Sequence, residues 1–212
     1  GWGVKEYSIK VIYNGTKLKN KPDPIDDQPY DYFKFITVGR LAPWKNIDII
    51  IEALSDYKKA NQNFIFYIIG SGPEEIKLKK LVNDLDLENF VTFTGQLQKD
   101  DLNYYLQKSD VYIQASSYEG LPHVILEAMS HNLSIISTPI GGTNEVIQDG
   151  INGWVWELEN NFKPNKNNLI EILNNLKLNS SEDINKRTNA QNLLFSTFDE
   201  DKNFQMYLEL VK

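Results

Sequence analysis

The chain has 212 residues, 41% of them hydrophobic, which suits one domain with a real core and is short for two large ones. Its formal net charge of -7, with acidic and basic residues mixed along the chain, argues against a polyanionic partner such as nucleic acid. With no cysteine, and with His123 and His131 as its two histidines, disulfides, thiolate metal sites and histidine-rich metal sites are excluded.

In chain order, Ile9 to Tyr13 is a short apolar run with no helix of its own. Residues 14 to 31, with Pro22, Pro24 and Pro29, read as a linker ahead of the first strand. From there strand-length apolar runs alternate with amphipathic segments of helical length. Strand Phe33 to Val38 is followed by helix Asn46 to Ala60, and strand Phe64 to Ile69 by helix Pro73 to Leu87. Strand Phe90 to Thr94 precedes helix Asp100 to Lys108, and strand Val111 to Gln114 precedes helix Pro122 to His131. Strand Ser134 to Ser137, helix Thr143 to Ile147 and strand Trp154 to Trp156 complete the series. After Glu159 the chain is Asn-rich and reads as helical over 165 to 177 and 182 to 211.

This alternation predicts βαβ units and an α/β fold, a doubly wound, mainly parallel Rossmann-like sheet buried on both faces. The division expected is a linker over 1–31, a core over 32–160 and C-terminal helices of the same domain over 161–212. Ligands of such sheets sit at the carboxyl ends of the strands. No run approaches the about 18 apolar residues of a membrane span, and Gly1 to Lys10 lacks the pattern of a secretory signal. A soluble protein is the expectation, and the lack of cysteine fits the cytoplasm. The N-x-S/T triplets at Asn14, Asn132 and Asn179 fit chance occurrence in an Asn-rich chain.

The first strand exits into Gly39-Arg40-Leu41-Ala42-Pro43-Trp44-Lys45. Gly39 permits tight backbone there, and Arg40 and Lys45 could both reach one diphosphate, or be two solvated charges. The second strand exits into Gly70-Ser71-Gly72-Pro73, a glycine turn with proline expected at the first helical position. A structural strand-to-helix turn explains it as well as a ligand does. It lacks the third glycine of a dinucleotide fingerprint, and no P-loop motif occurs.

The densest segment is Ser116-Ser117-Tyr118-Glu119-Gly120-Leu121-Pro122-His123-Val124-Ile125-Leu126-Glu127-Ala128-Met129. Pro122 suits the first turn of a helix, and Gly120 leaves the N–H groups near His123 and Val124 able to face an anion. Glu127 is the single acid in an otherwise apolar helix; ribose hydroxyls would satisfy it, or it lies on a solvated stripe. Glu119 could meet sugar hydroxyls or be an ordinary loop acid, and His123 could hold a phosphate or have no such duty. In Thr138-Pro139-Ile140-Gly141-Gly142-Thr143-Asn144-Glu145, two glycines would let backbone approach a ligand and Thr143 could cap a short helix, or the stretch is a plain turn.

Together these features resemble the family 4 retaining glycosyltransferases of GT-B fold. The resemblance rests on the Gly39-Arg40 to Lys45 loop, on Gly70-Ser71-Gly72-Pro73 followed by Val91-Thr92-Phe93-Thr94-Gly95, and on Glu119 to Glu127 as E-x7-E. Gly141-Gly142 to Glu145 and Asp149-Gly150-Ile151-Asn152-Gly153 add to it, so that it covers roughly residues 9 to 160. The turn that usually holds Gly and Pro is here His131-Asn132-Leu133-Ser134.

The resemblance implies the C-terminal, donor-binding half of such an enzyme, with Arg40, Lys45 and Glu119 in catalytic roles. Arg40 and Lys45 would clamp the donor diphosphate, Glu127 would hold the ribose and Glu119 the transferred sugar. Gly39, Gly70, Gly72 and Gly120, with Leu121, Pro122, His123 and Val124, would complete the donor site, and Gln96 and Leu97 would border the base. It further implies a UDP-sugar donor, no metal or other cofactor, and hexosyl transfer to a sugar or lipid-linked acceptor in bacterial polysaccharide or glycan biosynthesis. The acceptor would be held by a preceding domain, and the full enzyme would be cytoplasmic, with peripheral association at the inner membrane face. This chain alone would then not catalyse transfer. The alternatives are a stand-alone sugar-nucleotide-binding module and a sugar-nucleotide epimerase of the same fold.

Overall fold

The computed structural model of the chain describes residues 11–16, 32–60 and 63–210. The linker expected over 14–31 and the start of the Ile9 to Tyr13 run lie outside these residues, apart from 11–16.

The runs FKFITV and FIFYII are rich in β-branched and aromatic residues, and each forms a strand buried along most of its length. They are β1 (Phe33–Val38) and β2 (Phe64–Ile69), paired in parallel from Phe33 opposite Phe64 to Val38 opposite Ile69. With β3 (Val91–Gly95), β4 (Val111–Gln114), β5 (Ser134–Ser137) and β6 (Trp154–Val155) they form a six-stranded parallel sheet in the order β3-β2-β1-β4-β5-β6. The order reverses between β1 and β4. Successive crossovers therefore leave β1 in opposite directions, opening a crevice at the carboxyl edge.

Alternate residues of each strand feed opposite faces. Phe35, Phe66 and Ile68 pack with α1 (Ile47–Lys59), α2 (Glu75–Asp84) and α6 (Lys166–Asn175) through Ile50, Leu54, Tyr57, Leu78, Val82, Leu169 and Leu173. Ile36, Tyr67, Tyr112 and Ile135 pack with α3 (Lys99–Gln107), α4 (His123–Ser130) and α7 (Ser181–Thr197) through Leu106, Ile125, Met129, Ala190 and Leu194. The remaining helices are α5 (Thr143–Val146) and α8 (Glu200–Leu210). The doubly wound parallel sheet expected from the sequence is the fold observed.

Several boundaries shift by a residue or two from expectation, and three of the differences have a visible physical reason. Helix α2 starts at Glu75 rather than Pro73, because the chain first turns against β1's exit loop, with Glu74 N donating to Leu41 O at 3.0 Å. Strand β3 runs one residue further, to Gly95, whose carbonyl accepts from Gly70 N at 2.8 Å. The stretch over 182–211 breaks between α7 and α8 at Phe198 and Asp199. There buried Phe198 lies 5.0 Å from the Tyr13 ring, and its carbonyl accepts from Thr16 N at 2.9 Å. Residues 11–16 thus dock on that joint. Asn132 takes the left-handed backbone (φ 62) of the α4–β5 turn. No helix among the described residues is long and apolar enough to cross a membrane.

Candidate functional site

At the carboxyl edge the exit loops of β1 and β2 run in contact. Gly39 N donates to Ile69 O at 2.9 Å and Leu41 N to Ser71 O at 3.0 Å. Gly70 (φ +130) allows this, since a Cβ there would stand 2.0 Å from Gly39 O. Beside them opens a cleft of about 540 Å³. Of the residues singled out in the sequence, Gly39, Arg40, Gly70, Gly72, Gln96 and Leu97 line it, with apolar Val38, Ile69 and Leu102. Arg40 is exposed and carries no ion pair among the described residues.

The chain then makes a 3-10 turn, Pro43–Lys45, ending at Asn46 in the left-handed conformation (φ 46). From there Asn46 Nδ2 reaches Ala115 O at 2.7 Å, Ser117 Oγ at 2.6 Å and Trp44 O at 3.1 Å. Ser117 N donates to Trp44 O at 2.8 Å. These bonds join the β1 loop to the β4 loop across the crevice. The join brings Lys45 and Glu119 together: Lys45 Nζ pairs with Glu119 Oε1, and Ser116 Oγ donates to the same oxygen at 2.8 Å. Both side chains are largely buried, at 20% and 16% exposure. Lys45 Nζ also stands next to Gly39, within 3.3 Å of where a Cβ would lie, so the ammonium sits between the cleft and Glu119.

On the far side, Gly141 and Gly142 bring backbone close to Glu119 and Gly120 of the chain itself, rather than serving as a free ligand surface. A Cβ on Gly141 (φ +56) would stand 1.9 Å from Glu119 O, and Gly142 N donates to Gly120 O at 3.0 Å. Thr138 Oγ1 donates to Ser116 O at 2.6 Å. Thr143 is not a cap: the cap position of α5 is Gly142, and buried Thr143 accepts instead from Gln114 Nε2 at 3.3 Å. Pro122 likewise occupies the cap position of α4, which starts at His123. Ile125 N donates to Pro122 O at 3.0 Å, and the N–H groups of His123 and Val124 have no carbonyl of their own helix to bond.

Helix α4 buries Ile125, Leu126, Ala128 and Met129, while His123 is exposed and Val124, Glu127 and Ser130 are half-buried. Glu127 therefore lies on the polar stripe, not inside an apolar helix, and its carboxylate takes no hydrogen bond or ion pair from the described residues. Beneath it is Tyr112 of β4, fully buried, its hydroxyl 3.4 Å from Gln114 Oε1. Burial, then the charges of Glu119 and Glu127, push this phenol well above its ordinary pKa, so it stays protonated.

The fold therefore gathers two groups of predicted residues at one edge. Gly39, Arg40, Gly70, Gly72, Gln96 and Leu97 border the cleft; Glu119, Gly120, Leu121, Pro122, His123, Val124 and Glu127 follow β4 at the same edge, in its exit loop and in α4, and Lys45 stands between Gly39 and Glu119. The bracing residues Asn46, Ser116 and Thr138 and the buried Tyr112 carried no sequence signal for these roles, because their partners are far along the chain. The described residues contain no cluster of three or more His, Cys, Asp or Glu able to hold a metal ion.

A family model described as glycosyl transferases group 1 matches residues 21–191. An uncharacterized glycosyltransferase of Methanocaldococcus jannaschii is 30% identical over 98% of this chain and 53% of its own. The amylovoran biosynthesis glycosyltransferase AmsK of Erwinia amylovora is 28% identical over 67% of this chain and 37% of its own. The chain thus spans about half the length, or less, of these curated relatives. Among solved structures, Anabaena HepE in complex with UDP and glucose matches with a TM-score of 0.80 and 25% identity, over 99% of this chain and 58% of that one. The S. aureus protein TarM shares the fold at a TM-score of 0.76 and 23% identity, over 99% and 40%. The doubly wound sheet is that of GT-B glycosyltransferase structures.

Proposed function

This chain belongs to glycosyl transferases group 1, and from that premise we propose that it is the nucleotide-sugar-binding half of a retaining, family 4 glycosyltransferase. The donor is a UDP-sugar, as in the complex of Anabaena HepE, which holds UDP and glucose. The base lies in the cleft at Gln96 and Leu97, and Glu127, which has no hydrogen-bond or ion-pair partner among the described residues, accepts from the ribose hydroxyls. Arg40, Lys45 and the first-turn N–H groups of α4 hold the diphosphate, and Glu119 meets the hydroxyls of the hexosyl group.

When the bond between the anomeric carbon and the diphosphate oxygen breaks, the electron pair stays on the diphosphate. Arg40 as a fork and Lys45 as a point charge stabilise that charge as it grows. The hexosyl group passes to an acceptor hydroxyl with retained configuration, and the hydroxyl's proton goes to the leaving diphosphate oxygen. The cations and the helix terminus supply what a metal would otherwise supply. A preceding domain holds the sugar or lipid-linked acceptor at the inner face of the membrane, in bacterial polysaccharide assembly of the kind for which the Erwinia relative is named.

One observation carries this reading: Arg40, the Lys45–Glu119 pair and the start of α4 with its His123 and Val124 N–H groups lie at the strand-order reversal, beside a cleft of about 540 Å³. Calorimetric titration tests it. The chain is expected to bind UDP and UDP-glucose at one site and to show negligible transfer to sugar or lipid-linked acceptors by itself. Binding of no nucleotide would overturn the donor site, and robust turnover would overturn the half-enzyme reading.

A further inference from the structure

Lys45 is already committed in this structure. Its ammonium pairs with Glu119 Oε1, Ser116 Oγ supports that oxygen at 2.8 Å, and both charged side chains are mostly withdrawn from water. The pairing is held from outside, because Asn46, next to Lys45, is tied to Ala115 and Ser117, while Glu119 and Gly120 are backed by Gly141 and Gly142. A diphosphate in the cleft therefore competes with Glu119 for the ammonium, and full recruitment to the phosphates takes it from Glu119. That leaves a largely buried carboxylate with the Ser116 hydroxyl as its remaining donor, and an underpartnered carboxylate is costly.

We infer that Glu119, through its hold on Lys45, makes the site favour an intact nucleotide sugar over the free nucleoside diphosphate. This rests on the donor-site reading above. A nucleotide sugar brings hydroxyl donors that replace Lys45 at Glu119 when the ammonium turns to the phosphates. A free nucleoside diphosphate takes the ammonium and brings no replacement. The same exchange lowers the affinity for the nucleotide product once its sugar has left.

Calorimetric titration with UDP and with UDP-glucose tests this on the wild-type chain, on Glu119→Gln, on Lys45→Ala and on the double variant. Glu119→Gln is expected to raise UDP affinity roughly fivefold, the scale of a released ion pair, and to lower the ratio of UDP-glucose to UDP affinity. In the Lys45→Ala background the same change is expected to give no gain. An equal gain there would mean simple repulsion between Glu119 and phosphate, and would overturn the inference. So would unchanged or weaker UDP binding by Glu119→Gln. Glu119→Asp keeps the charge and shortens the reach to Lys45, so it too is expected to bind UDP more tightly; it serves if the Gln variant fails to fold. Absence of UDP binding by the wild-type chain would instead remove the donor-site reading itself.

Discussion

On the β1–β2 side of the strand-order reversal, the exit loops are joined backbone to backbone, by Gly39 to Ile69, Leu41 to Ser71 and Gly70 against Gly39. On the β4–β5 side the backbone contacts of Thr138 N to Gln114 O and Gly142 N to Gly120 O are joined by side-chain braces: Thr138 to Ser116, Gln114 to Thr143, Ser116 to Glu119, and Asn46 reaching across to Ala115 and Ser117. The first side presents a wall whose shape depends little on side-chain identity and which suits the extended body of a nucleotide. The second presents charged and hydroxyl groups whose positions depend on single residues, and it is there that chemistry can be tuned. Substitutions at the bracing contacts, such as Gly70 or Thr138, should therefore act through folding, and those at Lys45 and Glu127 mainly through binding.

Gly70→Ala is the most severe case, with its Cβ 2.0 Å from a backbone oxygen and a backbone angle that alanine resists. A loss of about 2–4 kcal/mol is expected in urea unfolding. Gly120→Ala meets no atom within 4 Å, and a loss under about 0.5 kcal/mol is expected; similar losses for the two would break the comparison. Next, Lys45→Ala is expected to weaken UDP binding by about ten- to hundredfold, and Glu127→Ala by about tenfold, the scale of lost hydrogen bonds to charged groups. Glu127→Ala should leave the unfolding midpoint close to wild type, and a large loss of stability would assign it to the scaffold, whereas Lys45→Ala is expected to lower the midpoint modestly because it strips Glu119 of its partner. Thr138→Val removes the donor to a buried carbonyl and is expected to cost about 1 kcal/mol in the same unfolding assay.

The smallest effect lies away from the edge. Asp56 links α1 to α6, and its hydrogen bonds to Lys59 and Lys166 hold its carboxyl below the ordinary value. A depressed folded-state pKa contributes stability above the unfolded value of 3.8, which is lost as pH falls through the folded value. Asp56→Asn is therefore expected to cost about 0.5 kcal/mol near pH 7, with the difference closing in acid. A constant difference across pH would show that the charge is not what Asp56 contributes.

Strands β1, β2, β4 and β5 were legible to the residue, because a strand buried on both faces is an unbroken apolar run whose ends are marked by turn residues. The residue types of the site were legible as well, since Arg40, Lys45, Glu119 and Glu127 stand in loops and a helix placed by that alternation. Their pairing was not. Lys45 and Glu119 are 74 residues apart, and the contact exists because Asn46 takes a left-handed turn and bonds the β4 loop. The glycines at 141 and 142 carry the signature of close backbone approach, but the sequence does not say whether the approach is to a ligand or to the chain. The break at Phe198 depends on Tyr13 and Thr16, far away in sequence, and no local signal marks it.

The central claim is that the carboxyl edge at the β1–β4 reversal is a nucleotide-diphosphate site, and the most direct measurement is backbone amide NMR of the chain titrated with UDP. Saturable shifts are expected at Gly39, Arg40, Gly70, Gln96, Leu97, Gly120, Leu121, His123 and Val124, with little change around α6 and the opposite sheet edge. Shifts confined to that opposite edge, or none at saturating UDP, would contradict it.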